Sequence, residues 1–195
     1  MEILKIWRHG VSGELYRKKA IEYALDERKV IWQCYGVQTD FPYTIFDQMK
    51  IVSDLWGNNG KNPVFHFVIS FEKRTVNDPY VAMAYVKQIF EHLLPSHQIV
   101  ISIHKKEHGG SLYHAHVVVS TTNFLNGELF QNKRDNFFRI GQNVADVTHN
   151  LCEFELPRPK ENKESNEDMV QDQNEDQKEN KKKNKKYIRI FTPKW

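Results

Sequence analysis

Cysteine is scarce in this chain. Cys34 and Cys152 are the only two, and they lack the C-x-x-C spacing of a thiolate metal site or redox motif, so both read as small buried hydrophobes in a reducing compartment. Long apolar runs are missing as well. None approaches the roughly 20 residues that a bilayer-spanning helix needs, and Met1-Glu2-Ile3-Leu4-Lys5-Ile6-Trp7 lacks the basic-then-apolar order of a signal peptide. These absences predict a cytoplasmic protein without membrane insertion. An excess of one charge is missing too: residues 1–156 hold 17 Lys plus Arg against 17 Asp plus Glu, so the formal +3 arises beyond them. Any nucleic-acid surface in that part must come from local clusters such as Arg17-Lys18-Lys19, Arg28-Lys29, Lys73-Arg74, Lys105-Lys106 and Lys133-Arg134, each of which also reads as a solvated face.

What remains is a chain of 195 residues, 39% hydrophobic and 27% charged, enough for one domain with a core and an appendage. Ile3 to Trp7 reads as a strand. Ser12 is placed to cap a helix from Gly13 to Asp26, which carries Tyr16 and Tyr23 seven apart on one face. A short strand at Val30 to Val37 and a helix from Tyr43 to Leu55 follow. Val64 to Phe71 is nearly all apolar and predicts a central strand covered on both faces, with His66 as a core histidine first and a neighbour of a metal site second. Asp78-Pro79 opens a helix that stops before Pro95, since proline suits a first helical turn and disfavours a helical residue before it. Gln98 to His104 is another strand, and the Asn132 to Phe154 stretch reads as a last helix with Gly141 as its weak point.

Composition shifts at Pro157. Glu161 to Asp176 holds seven acidic residues against one lysine, and Lys178 to Lys186 holds six lysines against one glutamate. With almost no hydrophobe to bury, 157–186 reads as a disordered linker between a domain at 1–156 and a short apolar segment at 187–195. That last segment suits an edge strand or the start of a longer unit. The lysine block either adds salt-sensitive DNA affinity or keeps the tail solvated.

The chemistry concentrates in Leu112 to Ser120, where His114 and His116 stand two apart in a β-branched run. On a strand both imidazoles leave one face, either as ordinary solvent-side residues or as ligands of one metal ion. Lys105 to Ser111 reads as a hairpin loop, which brings His104 beside the pair and makes three candidate ligands. Three imidazoles favour zinc, nickel, copper or manganese over magnesium.

Taken together, a tyrosine in Ala20 to Lys29, an apolar segment ending Ser70-Phe71, then His104 and His114-Ala115-His116 resemble the HUH endonucleases, and within them the relaxase/mobilisation nucleases of conjugative plasmids and transposons. Asn126 to Phe130 and the helix with Phe137, Phe138 and Arg139 continue the likeness, which covers Met1 to Cys152. It departs at Lys106, where many members carry an aspartate, in a longer loop before the histidine pair, and at Ser120 in place of an asparagine. Glu107 is the candidate substitute for that carboxylate.

The resemblance implies an α+β fold with a central, mostly antiparallel sheet and helices packed chiefly on one side. It implies Tyr23 as the nucleophile, with Tyr16 as second choice, and His104, His114 and His116 around a divalent metal, Mg²⁺ or Mn²⁺. The resemblance further implies single-stranded DNA at an origin of transfer as partner, with relaxosome accessory proteins and a coupling protein as candidate further partners. Arg17, Lys18, Lys19, Lys29, Lys105 and Lys106 flank the site and are the candidate phosphate ligands, while Trp7, Trp32 and Tyr35 either stack on bases or pack in the core. The implied function is a site- and strand-specific DNA nickase and strand transferase initiating conjugative mobilisation. A rolling-circle replication initiator or transposase of the same chemistry, and a DNA-binding accessory protein without cleavage, stand as alternatives.

Overall fold

A computed structural model describes residues 1–7, 10–38, 44–60, 62–105, 112–156 and 187–194. Lys106, Glu107 and residues 157–186, read from sequence as a linker, lie outside the described residues. Seven strands form one sheet: β1 (Glu2–Trp7), β2 (Lys29–Tyr35), β3 (Val64–Ser70), β4 (His97–Lys105), β5 (Tyr113–Asn123), β6 (Cys152–Leu156) and β7 (Tyr187–Phe191), in the order β2-β4-β5-β3-β1-β6-β7. All neighbours are antiparallel except β1 and β6. The α+β class and mostly antiparallel sheet expected from sequence are present. No helix among the described residues is long and apolar enough to cross a membrane.

Strand alternation divides the core into two. Phe65, Phe67 and Ile69 of β3, Ile99, Ile101 and Ile103 of β4, and Ala115, Val117 and Val119 of β5 pack against helices α3 (Pro79–Glu91) and α4 (Arg134–Thr148). Val64, Val100 and Val118 point the other way, into a smaller cluster with helices α1 (Gly13–Ala24) and α2 (Ile45–Leu55). The helices therefore divide two and two across the sheet, where the sequence reading put them chiefly on one side. A strand covered on both faces loses the alternation of a half-exposed one, which is why β3 and β5 read as continuous apolar runs.

Local signals are obeyed at some ends and overruled at others. Asp78 caps α3 by accepting from the amides of Tyr80 at 2.7 Å and Val81 at 3.3 Å, with Pro79 inside the first turn. Ser12 occupies the corresponding position before α1, but its side chain makes no capping bond. The last helix stops at Thr148 rather than Phe154, because His149 adopts a left-handed conformation (φ 52°) and turns the chain into β6. β6 then pairs parallel to β1, with Cys152 and Phe154 buried in the larger core.

The apolar terminal segment forms the sheet edge, as one of its two sequence readings had it. Phe191 of β7 is buried against α4 and Arg189 lies 4.1 Å from the ring centre of Phe138. Gly141, a weak point by helix propensity, is where this contact happens: a Cβ there would lie 2.5 Å from Phe191 Cε2. Gly141→Ala is expected to loosen β7, although alanine is the better helix former by about 1 kcal/mol. Hydrogen exchange of the 188–191 amides reads this out. Protection equal to wild type would contradict the packing argument.

Candidate active site

Three histidines meet on the α1 side of the sheet. His114 and His116 leave one face of β5, and the β4–β5 register sets His104 directly opposite His114, and Ser102 opposite His116. Ring centroids are 4.4 Å apart for His104 and His116, 4.9 Å for His114 and His116, and 5.4 Å for His104 and His114. One ring nitrogen from each lies within 4.8 Å of the others. His104 and His116 are buried, and His114 is half-buried at the cluster's outer side.

Hydrogen bonding decides which nitrogen His104 offers. Its Nε2 lies 2.8 Å from the carbonyl oxygen of Ala24. A carbonyl only accepts, so Nε2 carries the hydrogen and Nδ1 keeps its lone pair. That Nδ1, and Nε2 of His116, are buried with no hydrogen-bond partner among the described residues. Buried polar atoms rarely stay unpaired, and two lone-pair nitrogens beside a third imidazole fit a divalent cation. For His104 the orienting acceptor is a backbone carbonyl at the end of α1, and the Glu107 candidate lies outside the described residues. Asp26 Oδ1 stands 4.0 Å from His104 Nδ1.

Burial favours the neutral form of His104 and His116. It is the main cause lowering the pKa of His104, and for His116 the neighbouring His66, His104 and His114 add to it. His97, elsewhere on β4, is lowered by burial as well. In the unfolded chain such groups protonate near pH 6.5, and in the folded chain only at lower pH. The unfolded state therefore binds more protons as pH falls below about 6.5, and stability drops by up to about 1.4 kcal/mol per pH unit for each histidine. Denaturant unfolding of the metal-free protein at pH 7.5 and 5.5 is expected to show lower stability at pH 5.5. Equal values would contradict the burial of neutral rings.

Tyr23 comes from the last turn of α1, one residue before the carbonyl that anchors His104. Its ring centre is 5.2 Å from that of His116 and 5.8 Å from that of His66, edge to face in both cases. Trp7 stacks on it at 5.8 Å and 25°. The guanidinium of Arg28 lies 4.6 Å from the ring centre, its charge held by the Asp26 carboxylate first and the Tyr23 hydroxyl second, which together raise its pKa. Tyr16 sits two turns earlier, buried in the α1–α2 core, with its hydroxyl donating to Trp7 O at 3.0 Å. Of the two candidate nucleophiles, the structure brings Tyr23 to the histidines.

The basic candidates separate in the same way. Arg17 is fully buried, its guanidinium bonded to both carboxylate oxygens of Glu14 and to Ser53 Oγ at 2.8 Å, so it is a structural residue and not an exposed phosphate ligand. Lys18 and Lys19 are exposed on α1, Lys18 at 3.9 Å from Glu22. Lys29 donates to Asp26 O at 3.2 Å. Lys105 is exposed, but it pairs with Tyr113 and so leaves the face opposite to His104. Arg28 was missed as an individual residue. The turn after α1 folds it back over Tyr23, and its place in the Arg28-Lys29 cluster was the available signal. Trp7 is 40% exposed, while Trp32 packs against the smaller core.

A family model described as the relaxase MobA/VirD2-like nuclease domain matches residues 21–153. The chain belongs to this relaxase family. The matched span takes in Tyr23, Arg28, His66 and the three clustered histidines, and leaves out Tyr16 and β7. Comparison with curated proteins and with solved structures gives no match. A relaxase nuclease domain nicks DNA with a divalent metal, and the cluster of His104, His114 and His116, two rings buried and one half-buried, is suited to hold one.

Proposed function

We propose that this relaxase cuts one DNA strand at an origin of transfer and stays covalently joined to the cut end, which initiates conjugative mobilisation of a plasmid or transposon. The observation that carries the proposal is the contact between Tyr23 and His116, which puts a phenol beside three convergent imidazoles. His104, His114 and His116 would hold the divalent ion, Mg²⁺ or Mn²⁺ by family resemblance. When bound, such an ion supplies Lewis-acid polarisation of the scissile phosphate.

The residues divide the remaining work. Tyr23 Oη, deprotonated, attacks phosphorus in line with the 3′ oxygen. The new Oη–P bond forms as the P–O3′ bond breaks, and the departing 3′ oxygen takes a proton to become a hydroxyl. A 5′-phosphotyrosine remains, and reversal of the same exchange rejoins ends without ATP. Arg28 offers a fixed positive charge at the phenol, where the phosphate must enter. Trp7, half-exposed and stacked on Tyr23, presents a face to a base next to the cut, and Lys19 stands one helical turn from Tyr23 for the backbone.

Incubation with an oligonucleotide carrying the origin and Mn²⁺ should give a protein–DNA adduct that survives a denaturing gel and disappears with EDTA. Absence of the adduct with every divalent ion tried would refute cleavage and leave DNA binding alone.

A further inference from the structure

His66 lies in the middle of β3, fully buried, in a strand otherwise made of apolar residues and one serine. Its Cα neighbours are Trp7 on β1 and Val118 on β5, so the ring is part of the sheet floor beneath Tyr23. An imidazole is a costly choice for such a place unless it is hydrogen-bonded. It is bonded, and to the centre of the site: His66 Nε2 lies 3.0 Å from His116 Nδ1.

One of those two nitrogens must donate and the other accept. Were His116 Nδ1 the acceptor, its hydrogen would sit on Nε2, which is buried, has no hydrogen-bond partner among the described residues and belongs to a cluster of ring nitrogens. The opposite assignment puts no hydrogen on His116 Nε2, so none is stranded there. His116 Nδ1–H donates to His66 Nε2, and the lone pair at His116 Nε2 is free for a shared ion.

We infer that His66 is a positioning residue that fixes the tautomer and ring orientation of His116 for metal binding. The inference rests on the metal reading of the three histidines. It gives the histidine pair two different supports, since Ala24 O fixes His104 and His66 fixes His116. His66 thereby does for this ligand what a carboxylate does in many metal sites.

Two measurements test it. In metal-free wild type labelled with ¹⁵N in histidine, long-range ¹H–¹⁵N spectra should show His116 with its hydrogen on Nδ1, and His66 likewise on Nδ1. A His116 hydrogen on Nε2 overturns the inference without any variant having to fold. Mn²⁺ titration then compares wild type with His66→Phe, which lacks an acceptor, and His66→Gln, whose amide oxygen restores one. His66→Phe should bind Mn²⁺ about 10–100-fold more weakly, and His66→Gln within a few-fold of wild type. Wild type that takes up no Mn²⁺ overturns the metal reading and this inference with it. Wild type that binds Mn²⁺ while folded His66→Phe binds equally well overturns the inference alone.

Discussion

Tyr23→Phe is expected to abolish the covalent adduct, with strand cleavage falling by roughly three orders of magnitude or more, as when a nucleophile is deleted and only binding remains. The substitution keeps the ring that stacks on Trp7 and meets His116 edge to face, and removes the hydroxyl alone. Folding and single-stranded DNA affinity should therefore stay close to wild type, which a melting curve and a binding titration check. Tyr16→Phe is the matched control. It gives up one hydrogen bond to Trp7 O, costs about 1 kcal/mol of stability and leaves the adduct in place. An adduct that persists in Tyr23→Phe and vanishes in Tyr16→Phe would reassign the nucleophile.

His104→Ala and His114→Ala should both weaken Mn²⁺ binding by more than the roughly 10–100-fold typical of losing a supporting hydrogen bond, since each removes a donor atom. They should differ elsewhere. His104 also ties β4 to the carbonyl of Ala24, the neighbour of Tyr23 at the end of α1. His104→Ala leaves that carbonyl without its partner, at a cost of about 1–3 kcal/mol, and frees the last turn of the helix. His114→Ala leaves that anchor intact. Hydrogen exchange across Glu22 to Leu25 should rise in the first variant and not in the second, whether or not metal is added. Equal exchange in both would mean that the position of Tyr23 does not depend on His104.

Sequence periodicity made much of this architecture legible. The continuous apolar run of β3 announced a strand covered on both faces, and the two-residue spacing of His114 and His116 in β5 placed both rings on one face. His104 joined them because a hairpin aligns the end of one strand with the start of the next. β6 was hidden because Val144, Val147 and Leu151 extend a helical spacing past the left-handed residue His149, and nothing in a histidine's side chain announces positive φ. The distribution of helices over the two faces depends on how the strands are ordered, which local pattern does not encode.

The supports of the site were harder to see than its three histidines. Ala24 acts through its carbonyl, a group every residue has, so no side chain marks it. His66 looked like a core histidine because it stands in an apolar run, and only the register with β5 reveals the ring it meets. Arg17 belonged to an apparent phosphate-binding cluster until Glu14 and Ser53 closed on its guanidinium. Ala24 meets His104, His66 meets His116 and Arg17 meets Ser53 across distant segments, while Glu14 lies one turn from Arg17 on the same helix.

The central claim is that the phenol beside the three histidines becomes joined to DNA. Tandem mass spectrometry of the trapped adduct, after nuclease and protease digestion, locates that bond. A peptide carrying a nucleotide joined through its 5′ phosphate to Tyr23 is the expected product. A nucleotide mapped to Tyr16 or to any other side chain would contradict it.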